Sequence, residues 1–142
     1  MQLIDELARW QLVPLVFGQS AVAASQTAAA MYAQEVHGAV VLDNLGYTAP
    51  FEGYVVGISL NLTAAATGGT LTVVPTIDTT ATSDPSLAVT TATYGKDFCE
   101  RYTNYFAANS VIGVDLTTTA GWTAATLDLL VQVWVLVRIT GI

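Results

Sequence analysis

Val55-Val56-Gly57-Ile58-Ser59-Leu60-Asn61-Leu62-Thr63-Ala64, closed by Thr67-Gly68-Gly69-Thr70-Leu71, is written a second time as Val111-Ile112-Gly113-Val114-Asp115-Leu116-Thr117-Thr118-Thr119-Ala120 with Thr123-Ala124-Ala125-Thr126-Leu127. The offset is constant: Gly57 matches Gly113, Leu60 matches Leu116, Thr67 matches Thr123 and Leu71 matches Leu127. In the first copy Tyr54, Val56, Ile58, Leu60 and Leu62 share one side, and Val55, Gly57, Ser59, Asn61 and Thr63 share the other. That period of two marks a half-buried strand. Paired glycines supply the positive φ of a tight reversal in the first copy, and the match between the copies extends the β-hairpin expectation to the second. Pro75 removes a ladder donor and predicts that the return strand, 70–77, ends at an edge. Two equivalent units in 142 residues predict a sandwich of two related β layers.

The closing strand alternates differently. Leu127, Leu129, Val131, Val133, Val135 and Val137 share one face, while Asp128, Leu130, Gln132, Trp134, Leu136 and Arg138 share the other. A strand wet on one side alternates cleanly between apolar and polar, and this one does not. Leu130, Trp134 and Leu136 are therefore expected to sit in an oligomer interface.

Composition points the same way. Hydrophobic residues make up 53% of the chain and charged residues 11%, against roughly 25% charged in an average soluble domain. A small monomer has too little interior to hide so much apolar side chain, so contact with other chains is expected. The net charge of −7, with only Arg9, Lys96, Arg101 and Arg138 as cations, argues against nucleic acid and anionic membranes as partners.

Residues 1–35 differ in character from 36–142 and are read as an N-terminal arm before a β-sandwich domain. Ile4, Leu7 and Ala8 have the spacing of a short helix, limited by Pro14, and Ala21 to Ala33 has helical propensity. Asp5 and Glu6 contradict the positive start of a secretory signal. Pro14, Gly18, Gln19 and Ser20 interrupt any membrane span. Leu3, Ile4, Leu7, Trp10, Leu12, Leu15, Val16 and Phe17 of the arm are expected to contact a neighbouring subunit or the surface of a partner.

No chemistry-bearing constellation accompanies these strands. His37 is the single histidine and Cys99 the single cysteine, so any catalytic triad would have to use His37, one His and one Cys do not make a zinc site, and no cofactor is expected. Cys99 reads as a small buried hydrophobe, and Lys96 to Tyr102 as one helical turn pairing Asp97 with Arg101. Tyr94, Tyr102, Tyr105, Phe106 and Trp122 are the aromatic residues that could stack on a ligand or anchor an interface.

The Phe51-x-Gly53-Tyr54-Val55-Val56-Gly57-Ile58-Ser59-Leu60 stretch, the Ala64 to Ile77 unit and Ile112-Gly113-Val114-Asp115-Leu116 before a hydrophobic last strand resemble small β-sandwich proteins of tailed bacteriophages, the capsid decoration or cement proteins. The resemblance covers about residues 50 to 137. It implies an all-β, antiparallel, jelly-roll-like sandwich with an arm, carried as a homotrimer on the outer surface of the virion, made in the host cytoplasm, and bridging major capsid protein subunits. The alternative reading is a trimeric jelly-roll module that binds a receptor or glycan. Neither reading is enzymatic.

Overall fold

Neither copy of the repeat folds back on itself. The computed structural model describes residues 9–33, 46–123 and 128–139. Within them Gly53–Leu62 (β5) lies in one sheet and Leu71–Ile77 (β6) in the other, while Val111–Thr118 (β11) lies with β6 and Leu129–Arg138 (β12) with β5. Each unit is thus an arch that crosses between layers, not the hairpin its glycines predict. The two arches run side by side and antiparallel, with β5 paired to β12 and β6 paired to β11. Equivalent residues meet at the crossing: the Thr67 and Thr123 hydroxyls lie 2.7 Å apart. The expectation of two related layers holds, because each copy contributes one strand to each sheet.

Gly69 makes the crossing possible. It adopts φ +81°, and a Cβ there would collide with the backbone of Trp122. The indole of Trp122 is buried beneath the arch and donates its Nε1–H to the Val22 carbonyl at 3.2 Å.

The remaining strands widen both layers. Trp10–Gln19 (β1), Tyr32–Ala33 (β3), Tyr94–Phe98 (β9) and Asn104–Phe106 (β10) join sheet A, in which β3, β1, β12 and β5 lie in that order and β9 and β10 share the far edge. Ala29–Ala30 (β2), Tyr47–Thr48 (β4), Thr80–Ala81 (β7) and Leu87–Val89 (β8) flank β11 and β6 in sheet B. All pairings are antiparallel. Pro75 falls where β8 has ended and β7 has not begun, so its missing N–H breaks no bond on that edge. Between the sheets pack Phe17, Val55, Ile58, Leu60, Leu71, Val73, Val114, Leu116, Val131 and Val133, each at most 1% exposed.

Four sequence expectations are corrected. Residues 10–19 are not part of a free arm: β1 pairs with β12 along its whole length, from Trp10 opposite Arg138 to Gln19 opposite Leu129. Removing them would take out an inner strand of sheet A. Ala21 to Ala33 is not helical; it forms a loop, with left-handed φ at Ala21, Ser25 and Ala28, followed by β2 and β3. Threonines of β11 hold that loop, Thr118 Oγ1 accepting from the Gln26 N–H and donating to the Ala23 carbonyl. Those bonds outweigh the high helix propensity of alanine. Lys96 to Tyr102 contains no helical turn, because the open edge of β5 recruits 94–98 as β9. Finally, a bulge opposite Trp134 and Val135 leaves Val56 unpaired. Val55, not Tyr54 or Val56, therefore enters the core beside Ile58. The short helix expected near Ile4 lies outside the described residues, and the described residues contain no helix.

Replacing Gly69 by alanine combines backbone strain with overpacking and should cost about 2–4 kcal/mol. At Gly121 an added methyl meets nothing nearer than 3.8 Å, so Gly121→Ala should change stability by less than about 0.5 kcal/mol. Urea unfolding of the two variants measures the difference, and equal midpoints would contradict the arch contact.

Candidate functional site

The two outer faces of the sandwich differ in chemistry. Outward positions on sheet B carry small, neutral side chains: Thr72, Val74, Ala88, Ala30 and Thr117 surround a single carboxylate, Asp115. Partial burial among them raises the Asp115 pKa above the usual carboxylate range. The folded state then holds this proton more tightly than the unfolded chain. Stability is gained as pH falls through the folded pKa and lost as pH rises through it. Asp115→Asn should raise the melting temperature at neutral pH and flatten its pH dependence between about pH 4 and pH 7. Thermal melts across that range check this, and an unchanged profile would contradict it.

Sheet A presents an apolar outer face. β1 contributes Leu12, Pro14 and Val16; β12 contributes Leu130, Trp134 and Leu136; the register sets Leu12 beside Leu136, Pro14 beside Trp134, and Leu136 beside Tyr54. Leu12 is 56% exposed and Leu130 42%, while Trp134 and Leu136 are half-buried. The Trp134 indole N–H donates to Ser59 Oγ at 3.1 Å, and that hydroxyl donates to Gln132 Oε1 at 3.3 Å, so the polar atom of Trp134 is already engaged. Gly57 leaves the space beside Trp134 that the Phe98 ring fills.

Seven of the eight large hydrophobic side chains exposed among the described residues belong to this face: Leu12, Tyr32, Tyr94, Phe98, Tyr102, Tyr105 and Leu130. Val111, on sheet B, is the eighth. Lys96 and Arg138 stand on the same face, and the Arg101 guanidinium lies 4.7 Å above the Tyr102 ring at its edge.

Expected contact residues separate accordingly. Trp10, Leu12 and Val16 point outward, and so do Leu130, Trp134 and Leu136. Phe17 is corrected from a surface contact to a fully buried core residue, and Leu15 packs against that core. Leu3, Ile4 and Leu7 lie outside the described residues, as does His37. Phe106 and Trp122 are buried, whereas Tyr94, Tyr102 and Tyr105 are exposed. The sequence sets Tyr54 on the same side as Ile58 and Leu60, and the bulge that turns it outward leaves no compositional mark.

Cys99 is half-buried rather than a core residue, and burial raises its pKa above the ordinary thiol range. Such a thiol is a poor nucleophile at neutral pH. Asp97 accepts from the Ser86 N–H, and Arg101 stacks on Tyr102, so the expected Asp97–Arg101 pairing gives way to two other contacts. A gap of about 290 Å³ opens between the layers at the end away from the arches, lined by Val13, Leu15, Phe51, Phe106 and Val137 among others. Among the described residues no carboxylate, histidine, cysteine or lysine lines it. Among the described residues no three His, Cys, Asp or Glu side chains converge as a metal site.

No known protein family matches this sequence, and no curated protein does. Among solved structures the chain is similar to one from the acid-stable capsid of Helicobacter pylori bacteriophage KHP30, at 11% identity over 93% of this chain and 99% of the other, with a TM-score of 0.46. It is also similar to a chain from the heated full particle of Israeli acute paralysis virus, at 9% identity over 96% and 77%, TM-score 0.46. A chain of a marine algae virus of the order Picornavirales gives 12% identity over 95% and 71%, TM-score 0.32. Overlays this loose do not establish a shared fold or role.

Proposed function

We propose that this chain is a structural protein of a virion, a capsid decoration or cement protein that seats on the shell through the β1/β12 half of the outer face of sheet A. The observation that carries this reading is the segregation of exposed apolar side chains onto that one face. A face this apolar is unfavourable in water, whereas buried against a protein surface it contributes roughly 25 cal/mol per Å² of apolar area. Its composition fits an interface: Trp134 and the leucines for the centre, Lys96 and Arg138 for the rim.

We assign the partner surface to the major capsid protein. A homotrimer on the outer shell would repeat the contact three times, and contacts that are weak singly add through effective concentration. The role is mechanical and needs no reacting group. The phage-like texture of residues 50 to 137 supports the same reading.

Leu12→Glu with Leu130→Glu places two charges in the centre of the proposed contact. Exposed substitutions usually change stability within about 0.5 kcal/mol, so the double variant should melt near the parent temperature. It should fail to sediment with capsids that the parent chain binds. Undiminished co-sedimentation would contradict the assignment of this face.

A further inference from the structure

We propose that Trp10, Tyr54, Tyr102 and Tyr105, rimmed by Glu52, Arg101 and Arg138, form a saccharide-binding subsite that takes a pyranose ring. The cluster sits at the β5/β10 edge of sheet A, beside the aliphatic β1/β12 half, and does not depend on the capsid reading. Tyr54 is its centre. The rings of Tyr102 and Tyr105 meet it edge-on at 5.0 and 5.6 Å, with interplanar angles of 82° and 64°, and Trp10 lies 5.9 Å away at 33°. Edge-to-face contacts lock the rings together and Arg101 covers one face of Tyr102, yet both residues stay accessible: Tyr102 is 55% exposed and Tyr105 52%.

Exposed aromatic rings held rigid match the C–H face of a sugar, and a fixed polar rim matches its hydroxyls. That rim is already arranged. Tyr105 donates its hydroxyl proton to Glu52 Oε2 at 2.9 Å, which raises the tyrosine pKa, and Glu52 pairs with Arg138 at 3.6 Å. Arg101 is oriented by stacking on Tyr102. Two guanidinia next to the rings disfavour a cationic ligand and favour hydroxyl or carboxylate oxygens. The chain's charge of −7 disfavours stacked nucleic-acid bases.

The backbone adds an independent sign. Tyr102 has φ +74°, a left-handed conformation that a bulky side chain rarely adopts. Strain at an exposed aromatic contributes nothing to the core, and such outliers gather where a side chain must be presented to a ligand.

Tyr102→Gly separates presentation from architecture, because glycine adopts this φ without strain. The full chain is titrated with maltohexaose, chitotetraose and tetragalacturonate, followed by saturation-transfer NMR and calorimetry. The parent is expected to bind at least one probe with Kd at or below about 1 mM. Tyr102→Gly is expected to lower that affinity about tenfold or more while its melting temperature stays equal or rises. Thr72→Ala, on the outer face of sheet B, should bind the probe as the parent does. No saturation transfer to any of the three probes overturns the proposal, and so does a Tyr102→Gly variant that binds like the parent.

Discussion

Two strand pairs turn together from one layer into the other because Gly69 brings its arch onto the backbone of Trp122. A side chain at Gly69 would hold the arches apart, and β5/β12 could not then continue into β6/β11 as one folded antiparallel ribbon. Rolling that ribbon over itself places the apolar faces of both halves against each other. The internal repeat supplies both arches, and the hydroxyl contact of Thr67 with Thr123 marks where the copies meet. Val22, carried in by the β1–β2 loop, closes the corner beneath Trp122.

Once the ribbon is closed, its inner faces are satisfied and the outer faces are left to the surroundings. Sheet B meets them with threonine, alanine and valine around Asp115. Sheet A meets them with leucine, proline, tryptophan and tyrosine, although it also holds β1, which extends it beyond the repeated core. The excess of hydrophobic residues noted in the composition is therefore not spread over the surface. It is concentrated where a single partner could cover it.

Much of this was legible from residue order alone. Alternation located β5, the repeat located β11, and the apolar run of β12 with its mixed outer face marked Leu130, Trp134 and Leu136. What escaped has physical reasons. A Gly-Gly reversal serves an arch as well as a hairpin, and only the pairing partner distinguishes them. The bulge at Val56 transfers Val55 inward and Tyr54 outward, and a period-two pattern cannot register one extra residue. β1 carries apolar side chains on both faces and contains Pro14, so it reads as an uncharged segment rather than a strand. The tyrosine cluster draws on residues distant in sequence, Trp10, Tyr54, Tyr102 and Tyr105, which the sheet order alone brings together.

The central claim is that one outer face is covered in the working assembly and the other is not. Hydroxyl-radical footprinting of the chain, free and on assembled particles, measures this side chain by side chain. The account predicts that Leu12, Leu130 and Trp134 become protected on the particle while Val74 and Val111 keep the oxidation rates of the free chain. Equal oxidation of the sheet A residues in both states, or protection confined to sheet B, would contradict it.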